Sequence, residues 1–250
     1  MKNDICHFIT KQCPCIASKK PNIMEKAPLV PIITKAPFEM VCVDYLKLDR
    51  CKGNFEYVLM VTDHFTRFTQ AYATKSKSSK EAATKLFNEF VLQFGLPQRI
   101  HHDQGGEFNS GLFKELHRLT GIKISNTTPY HPMGNGSVER MNRVLINMLK
   151  SIPESEKNKW KDHLPKLMFA YNSTVHKATG YSPFYLLFGR QSRLPIDCIL
   201  PLEPNISKNK TYNEFVKNWQ ESMKKAIQVA NQQMQKSRNY NEKYYDSKVK

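Results

Sequence analysis

Three consecutive runs of β-branched and aromatic residues constrain this chain more than any other feature. They are 39–47 ("EMVCVDYLK"), 56–64 ("EYVLMVTDH") and 67–74 ("RFTQAYAT"), and only short links such as "KGN" separate them. Strand-forming runs joined this tightly predict an antiparallel meander. The period then changes. From Ser79, a predicted N-cap, Ala82, Ala83, Leu86, Phe87, Phe90, Val91 and Phe94 recur at helical spacing until Gly95 and Pro97 stop them. A short strand over 98–102, a helix over 109–121 and a strand over 122–127 follow. Three strands followed by helix, strand, helix, strand predict an α/β fold, a five-stranded mixed sheet with helices on both faces.

Further helices are predicted over 137–152, with Val138, Met141, Leu145, Met148, Leu149 and Ile152 inward, and over 157–176, with Trp160, Leu164, Leu167 and Phe169 inward. Residues 179–197 read as turn-rich. After a polar linker, Phe215, Trp219, Met223, Ile227, Ala230 and Met234 step every three or four residues and predict a long C-terminal amphipathic helix. Upstream, Pro21, Pro28, Pro31 and Pro37 exclude a regular helix and predict an extended linker over 21–36. The expected organisation is a small N-terminal segment (1–20), that linker, a core over 37–200, and a linker with its helix over 201–250.

The net charge of +16 is spread along the chain, +4, +7 and +5 in residues 1–36, 37–199 and 200–250. A distributed positive balance favours a polyanionic partner over a single basic arm. No signal peptide or membrane-length apolar run is visible, so an intracellular protein with reduced thiols is expected. Cys13 and Cys15 stand two apart, tighter than the usual spacing of zinc ligands.

Three carboxylates stand out. Asp44 ends the apolar run "MVCVD", Asp103 follows the predicted strand in "HHDQGGEF" (101–108), and Glu139 lies early in the helix that "TPYHPMGNGSVERMNR" (128–143) leads into. Phosphodiester chemistry needs an attacking oxygen, a leaving oxygen and relief of phosphate charge. Two magnesium ions about 3.5–4 Å apart supply that clamp, and magnesium takes hard oxygen ligands. Spacing alone leaves these residues as ordinary surface acids, with Asp63 and Glu107 as rivals.

The surrounding words decide otherwise. "VDYL", "VLMVTDHFTRF", "HHDQGGEF", "TTPYHPMGNGSVERMNR", "FAYNSTVHKATGYSPFYLLFGRQSRLPID" and "YYDSKV" together resemble the integrases of gypsy-type long-terminal-repeat retrotransposons and host genes derived from them. The family's two Asp and a Glu, with thirty-five residues between the last pair, match Asp44, Asp103 and Glu139. The resemblance implies a ribonuclease-H-like core, two Mg2+ (or Mn2+) ions on those three residues, and polynucleotidyl transfer that trims element 3′ ends and joins them to target DNA. It implies DNA as partner, a homo-oligomer and a nuclear location. The family also binds Zn2+ through two His then two Cys. Here the His pair is absent and only Cys13 and Cys15 remain. The C-terminal module that follows "YYD" in the family is expected to be missing or to lie outside these 250 residues.

Tyr130, His131 and Asn135, in the Gly-rich loop, and Asn142, Arg143 and Lys150, on the helix carrying Glu139, are the expected DNA contacts. A catalytically idle DNA- or chromatin-binding descendant is the competing reading. Either reading has the same electrostatic consequence: binding to duplex DNA should weaken steeply with salt. A log–log slope of roughly −0.9 per neutralised phosphate is expected. A flat salt titration by fluorescence anisotropy would count against nucleic acid as the partner.

Overall fold

A computed structural model describes residues 2–8, 32–103, 105, 108, 118, 120–126, 136–199 and 211–246. It divides into two compact units, Met1–Val30 with Tyr240–Lys250, and Pro31–Asn239. The first unit contains helix α1 (Lys2–His7). The expectations at Cys13, Cys15, Glu107, Tyr130, His131 and Asn135, and for most of the helix over 109–121, lie outside the described residues.

In the larger unit, β1 (Val41–Cys51), β2 (Phe55–Asp63), β3 (Thr69–Thr74), β4 (Arg99–His102) and β5 (Lys123–Asn126) form a mixed sheet in the order β3-β2-β1-β4-β5. The meander is antiparallel; β4 lies parallel to β1 and β5 parallel to β4. Asp63 anchors the turn from β2 to β3. Its carboxylate accepts from the Phe38 and Thr66 backbone N–H groups (2.9 and 2.8 Å) and from the Thr66 hydroxyl (2.6 Å). Asp63 is therefore a buried turn residue rather than a rival site ligand.

Alternation along the strands gives the sheet two apolar faces. Val41, Val43, Leu59 and Val61 meet Ala82, Leu86 and Phe90 of the next helix on one side. That helix, α2 (Ser79–Lys85), continues through a π-helical stretch, Leu86–Val91, and a last turn, Leu92–Phe94. Its cap is Ser78, one residue earlier than the sequence suggested. Ser78 is extended and its hydroxyl accepts from Glu81 N–H, while the Glu81 carboxylate takes the Lys75 and Ser76 N–H groups.

On the other face Val58, Met60 and Ala71 meet α3 (Gly136–Lys150) and α4 (Trp160–Ser173). The inward stripe of α4 is Trp160, Leu164, Met168 and Asn172, at strict i, i+4 spacing. Phe169, expected inward, sits one residue off that stripe and is 41% exposed. Asn172 is buried and closes the edge strand: its Oδ1 accepts from Thr69 N–H (2.9 Å) and its Nδ2 donates to Thr69 C=O (2.8 Å).

The segment expected to be turn-rich contains two short helices, α5 (Pro183–Phe188) and α6 (Pro195–Ile199). Ser182 caps α5, Pro183 opens it and Gly189 closes it in the left-handed conformation. A Cβ on Gly189 would stand 2.2 Å from the Trp219 indole nitrogen on the long helix α7 (Tyr212–Asp246), so only glycine lets the two meet. Ala226 and Ala230 of α7 pack on Leu186 with Tyr181 and Tyr185. The inward stripe of α7 starts later than expected, since Phe215 and Trp219 are 60% and 42% exposed. No helix among the described residues is long and apolar enough to cross a membrane.

Two histidines in this unit are held neutral. His64 Nδ1 bonds the Thr34 hydroxyl at 2.9 Å, and burial followed by nearby Arg67 holds its pKa well below 6.5. Burial, then Arg67, lowers His176 to about 4, and its Nδ1 accepts from Ala178 N–H. The unfolded chain therefore takes up these protons first as pH falls. The contribution of both residues is intact above pH 6.5 and falls away as the pH drops below it, down to about pH 4 for His176. The His64→Asn/His176→Asn double variant should show a shallower loss of urea midpoint over that window than the parent chain. Equal slopes would show that neither ring is held neutral.

Candidate active site

Asp44 lies in the interior of β1, opposite Met60, and not at the strand end that the sequence suggested, because β1 runs on to Cys51. What brings the carboxylates together is the parallel pairing. Val43 stands beside His102, so the next residue on each strand is an aspartate, Asp44 on β1 and Asp103 where β4 stops. Met141 and Leu145, buried against the sheet, lay α3 across this face. Asn142 of α3 donates from Nδ2 to Asp44 Oδ2 at 2.6 Å, and the Tyr45 N–H donates to Asp44 Oδ1 at 2.8 Å. Glu139 stands on the same helix, three residues before Asn142, with its side chain exposed.

Asp103 is held by the chain that follows it. Its Oδ1 accepts from Gly105 N–H at 2.9 Å, and its carbonyl takes the Nδ1–H of His102, which fixes that ring's tautomer. Phe108 packs against both neighbours of the site, stacked on Tyr45 at 5.7 Å and tilted on His102 at 5.1 Å. It is buried, and so ties the loop after Asp103 to the core.

The electrostatics record the convergence. Burial raises Asp44 to about 6; the Asn142 and Tyr45 hydrogen bonds oppose the rise, and the charges of Asp103 and Glu139 add to it. A buried carboxylate with two further anions near enough to raise its proton affinity suits a hard divalent cation. The ligand set is nevertheless open: among the described residues no three His, Cys, Asp or Glu side chains stand close enough to hold one ion together.

Arg143 and Lys150 are exposed on α3, and no ion pair joins Arg143 to Glu139. Asn142 is turned onto Asp44. The positioning roles of Asn142 and Phe108 were not foreseen. The signal available for Asn142 was its place three residues after Glu139 on a helix already assigned to the site. For Phe108 it was a lone aromatic closing a Gly-rich loop.

Residues 34–132 match the integrase core domain family. The chain is 30% identical over 195 residues to the Pro-Pol polyprotein of Simian foamy virus type 3 (strain LK3), an alignment covering 78% of this chain and 17% of the polyprotein. It is 27% identical over 226 residues to the retrovirus-related Pol polyprotein from transposon 412 of Drosophila melanogaster, covering 87% of this chain and 18% of that polyprotein. This chain thus spans under a fifth of the curated relatives it matches. Its fold is similar, with a TM-score of 0.57 at 23% identity, to a chain in the simian T-cell lymphotropic virus intasome in complex with PP2A regulatory subunit B56 gamma, over 72% of this chain and 65% of that one. Over residues 34–132 this chain is similar to the integrase core domain, and over most of its length to parts of retroviral and retrotransposon Pol polyproteins.

Proposed function

We propose that this chain is the catalytic core of an integrase from a gypsy-type retrotransposon, or from a host gene derived from one, and that it trims the 3′ ends of element DNA and joins them to target DNA. The observation that carries the reading is the pairing of β1 with β4, which sets Asp44 beside Asp103, with Glu139 near enough to raise the proton affinity of Asp44. Asp44, Asp103 and Glu139 would hold two magnesium or manganese ions, which when bound would activate the attacking oxygen and offset charge on the phosphate. Asn142 and the Tyr45 N–H hold the Asp44 carboxylate in one orientation. Arg143 and Lys150, about one and about three turns beyond Glu139, present charge to a DNA backbone. Tyr130, His131 and Asn135 would contact the DNA end, and Cys13 and Cys15 would be what this chain offers to zinc. A homo-oligomer working on nuclear DNA completes the reading.

Asp44→Asn, Asp103→Asn and Glu139→Gln should each abolish 3′ trimming and strand transfer of a labelled duplex while leaving its affinity nearly unchanged. Each change removes one anion near the reacting phosphate and few of the many backbone contacts. Full transfer by any of the three rejects that residue. Equal inactivity of the parent chain, with DNA binding intact, would instead favour the idle DNA-binding descendant.

Asn142 makes a separate prediction. In a double-mutant cycle of Asn142→Ala and Asp44→Ala, urea unfolding at pH 8 should give a coupling of about 1.5–3 kcal/mol, as for hydrogen bonds to a charged group. Simple additivity would show that the bond does not tie α3 to the sheet.

A further inference from the structure

The hairpin that joins β1 to β2 carries a basic cluster, and the carboxylate site makes no use of it. Cys51 and Phe55 pair across the hairpin, and Gly53 and Asn54 turn it with φ +91 and +62. The half-buried Phe55 ring is shared by two ammonium groups. Lys161 Nζ, from the start of α4, stands 4.6 Å from the ring centroid, and Lys75 Nζ, just past β3, stands 5.5 Å from it. Gly53 lets the turn close on this ring: a Cβ there would lie 3.1 Å from Phe55 Cε2 and 3.7 Å from Lys161 Nζ. Lys52 N–H donates to the Asn158 carbonyl at 2.8 Å, which ties the hairpin to the turn before α4. Both ammonium groups stay within reach of solvent, since Lys75 is exposed and the Lys161 side chain is 32% exposed. Among the described residues Lys75 has no ion pair, and Lys161 meets only the exposed Asp162, at 4.0 Å, a contact worth little in water. Neither Asp49 nor Glu56 pairs with either lysine; Glu56 is taken by Lys47 at 3.0 Å and Arg50 at 3.3 Å.

Two like charges held over one ring, open to solvent and short of counter-charge, suit a ligand that brings closely spaced anions. Their place on the sheet says which ligand. Asp44 pairs with Met60, and Phe55 packs against the same apolar cluster as Met60, so the carboxylate and the lysine pair belong to one face. Cys51 lies seven residues beyond Asp44 on β1, a strand length of about 20 Å. Duplex DNA advances about 3.4 Å per base pair, so a duplex reaching from one to the other covers about six base pairs. An ammonium on a flexible stem suits a backbone phosphate at that distance, because it contacts the phosphate as a point charge and demands no fixed fork geometry.

We propose that Lys75 and Lys161, held over Phe55, grip backbone phosphates of the reacting duplex about six base pairs from the phosphate at the carboxylates. This rests on the integrase reading of Asp44, Asp103 and Glu139. The test uses the full chain and 3′ trimming of a long duplex with one reacting end, so that the reaction itself sets the register. No trimming by the parent chain would overturn the integrase reading and this contact with it. In Lys75→Gln/Lys161→Gln, KM should rise about tenfold or more with kcat unchanged, the mark of binding energy shared by ground and transition states. Neutral methylphosphonates placed about five to eight base pairs from the reacting phosphate should raise KM for the parent and add nothing for the double variant. The same groups placed nearer the end should act equally on both proteins. An unchanged KM in the double variant, or equal effects of the methylphosphonates on both proteins at every position, would overturn the contact and leave the integrase reading standing. Unchanged trimming together with lost binding of a polyglutamate chain would assign the cluster to an acidic protein surface and overturn its assignment to DNA.

Discussion

The parallel pairing of β1 with β4 is the constraint on which the site depends. It is enforced by apolar burial rather than by the carboxylates. Val41, Val43 and Ile100 are fully or almost fully buried on the α2 side, against Leu86 and Phe90. Side chains alternate along a strand, so a slip of one residue would turn Asp44 into that apolar core. Burying an unpaired carboxylate there costs far more than any contact it could gain. The hydrophobic core therefore fixes which face Asp44 occupies. The place where β4 ends fixes Asp103 beside it.

What the core brings together, electrostatics pushes apart. Asp44 is pushed up to about 6 by burial and by its two acidic neighbours, and the fold answers with one strong bond from Asn142 and one backbone N–H. Those two donors hold the carboxylate without neutralising it. Glu139 is left exposed at the start of α3, and Asp103 hangs on the loop that Phe108 anchors. Only Asp44 sits inside a strand; Asp103 follows the end of β4 and Glu139 stands on α3.

Most of the sheet was legible because its signals are local. β-branched runs, tight turns and a shift from period two to helical period report directly on backbone state, and all five strands lie where those patterns place them. The three acids were legible as a group only through the words around them, since acidic residues are common and spacing carries no direction. Other features depend on neighbours that sequence does not order. Phe169, Phe215 and Trp219 fit an apolar stripe by count, yet the stripe stops where the packing partner stops. Asn172 reads as an ordinary polar helix residue until the edge strand it seals is beside it. Arg67 reads as one basic residue in a basic chain, and nothing local announces that its guanidinium is enclosed.

The α3 and α4 face of the sheet carries two chemistries end to end. Around Leu46, Val58 and Trp160 it is apolar and holds the helices down. Towards Thr62 and Thr69, whose hydroxyls bond each other at 3.0 Å, it is polar and carries Asn172, Arg67 and Asp44. A face apolar throughout would seal under the helices and leave no room for charge. One polar throughout would not hold α3, and Glu139 would have no fixed relation to Asp44. Because β1 and β2 are long enough to run through both zones, the apolar end can anchor α3 while the polar end stays available to a charged ligand. The catalytic reading therefore needs both ends of the same strands: packing at one sets the reach of Glu139 at the other.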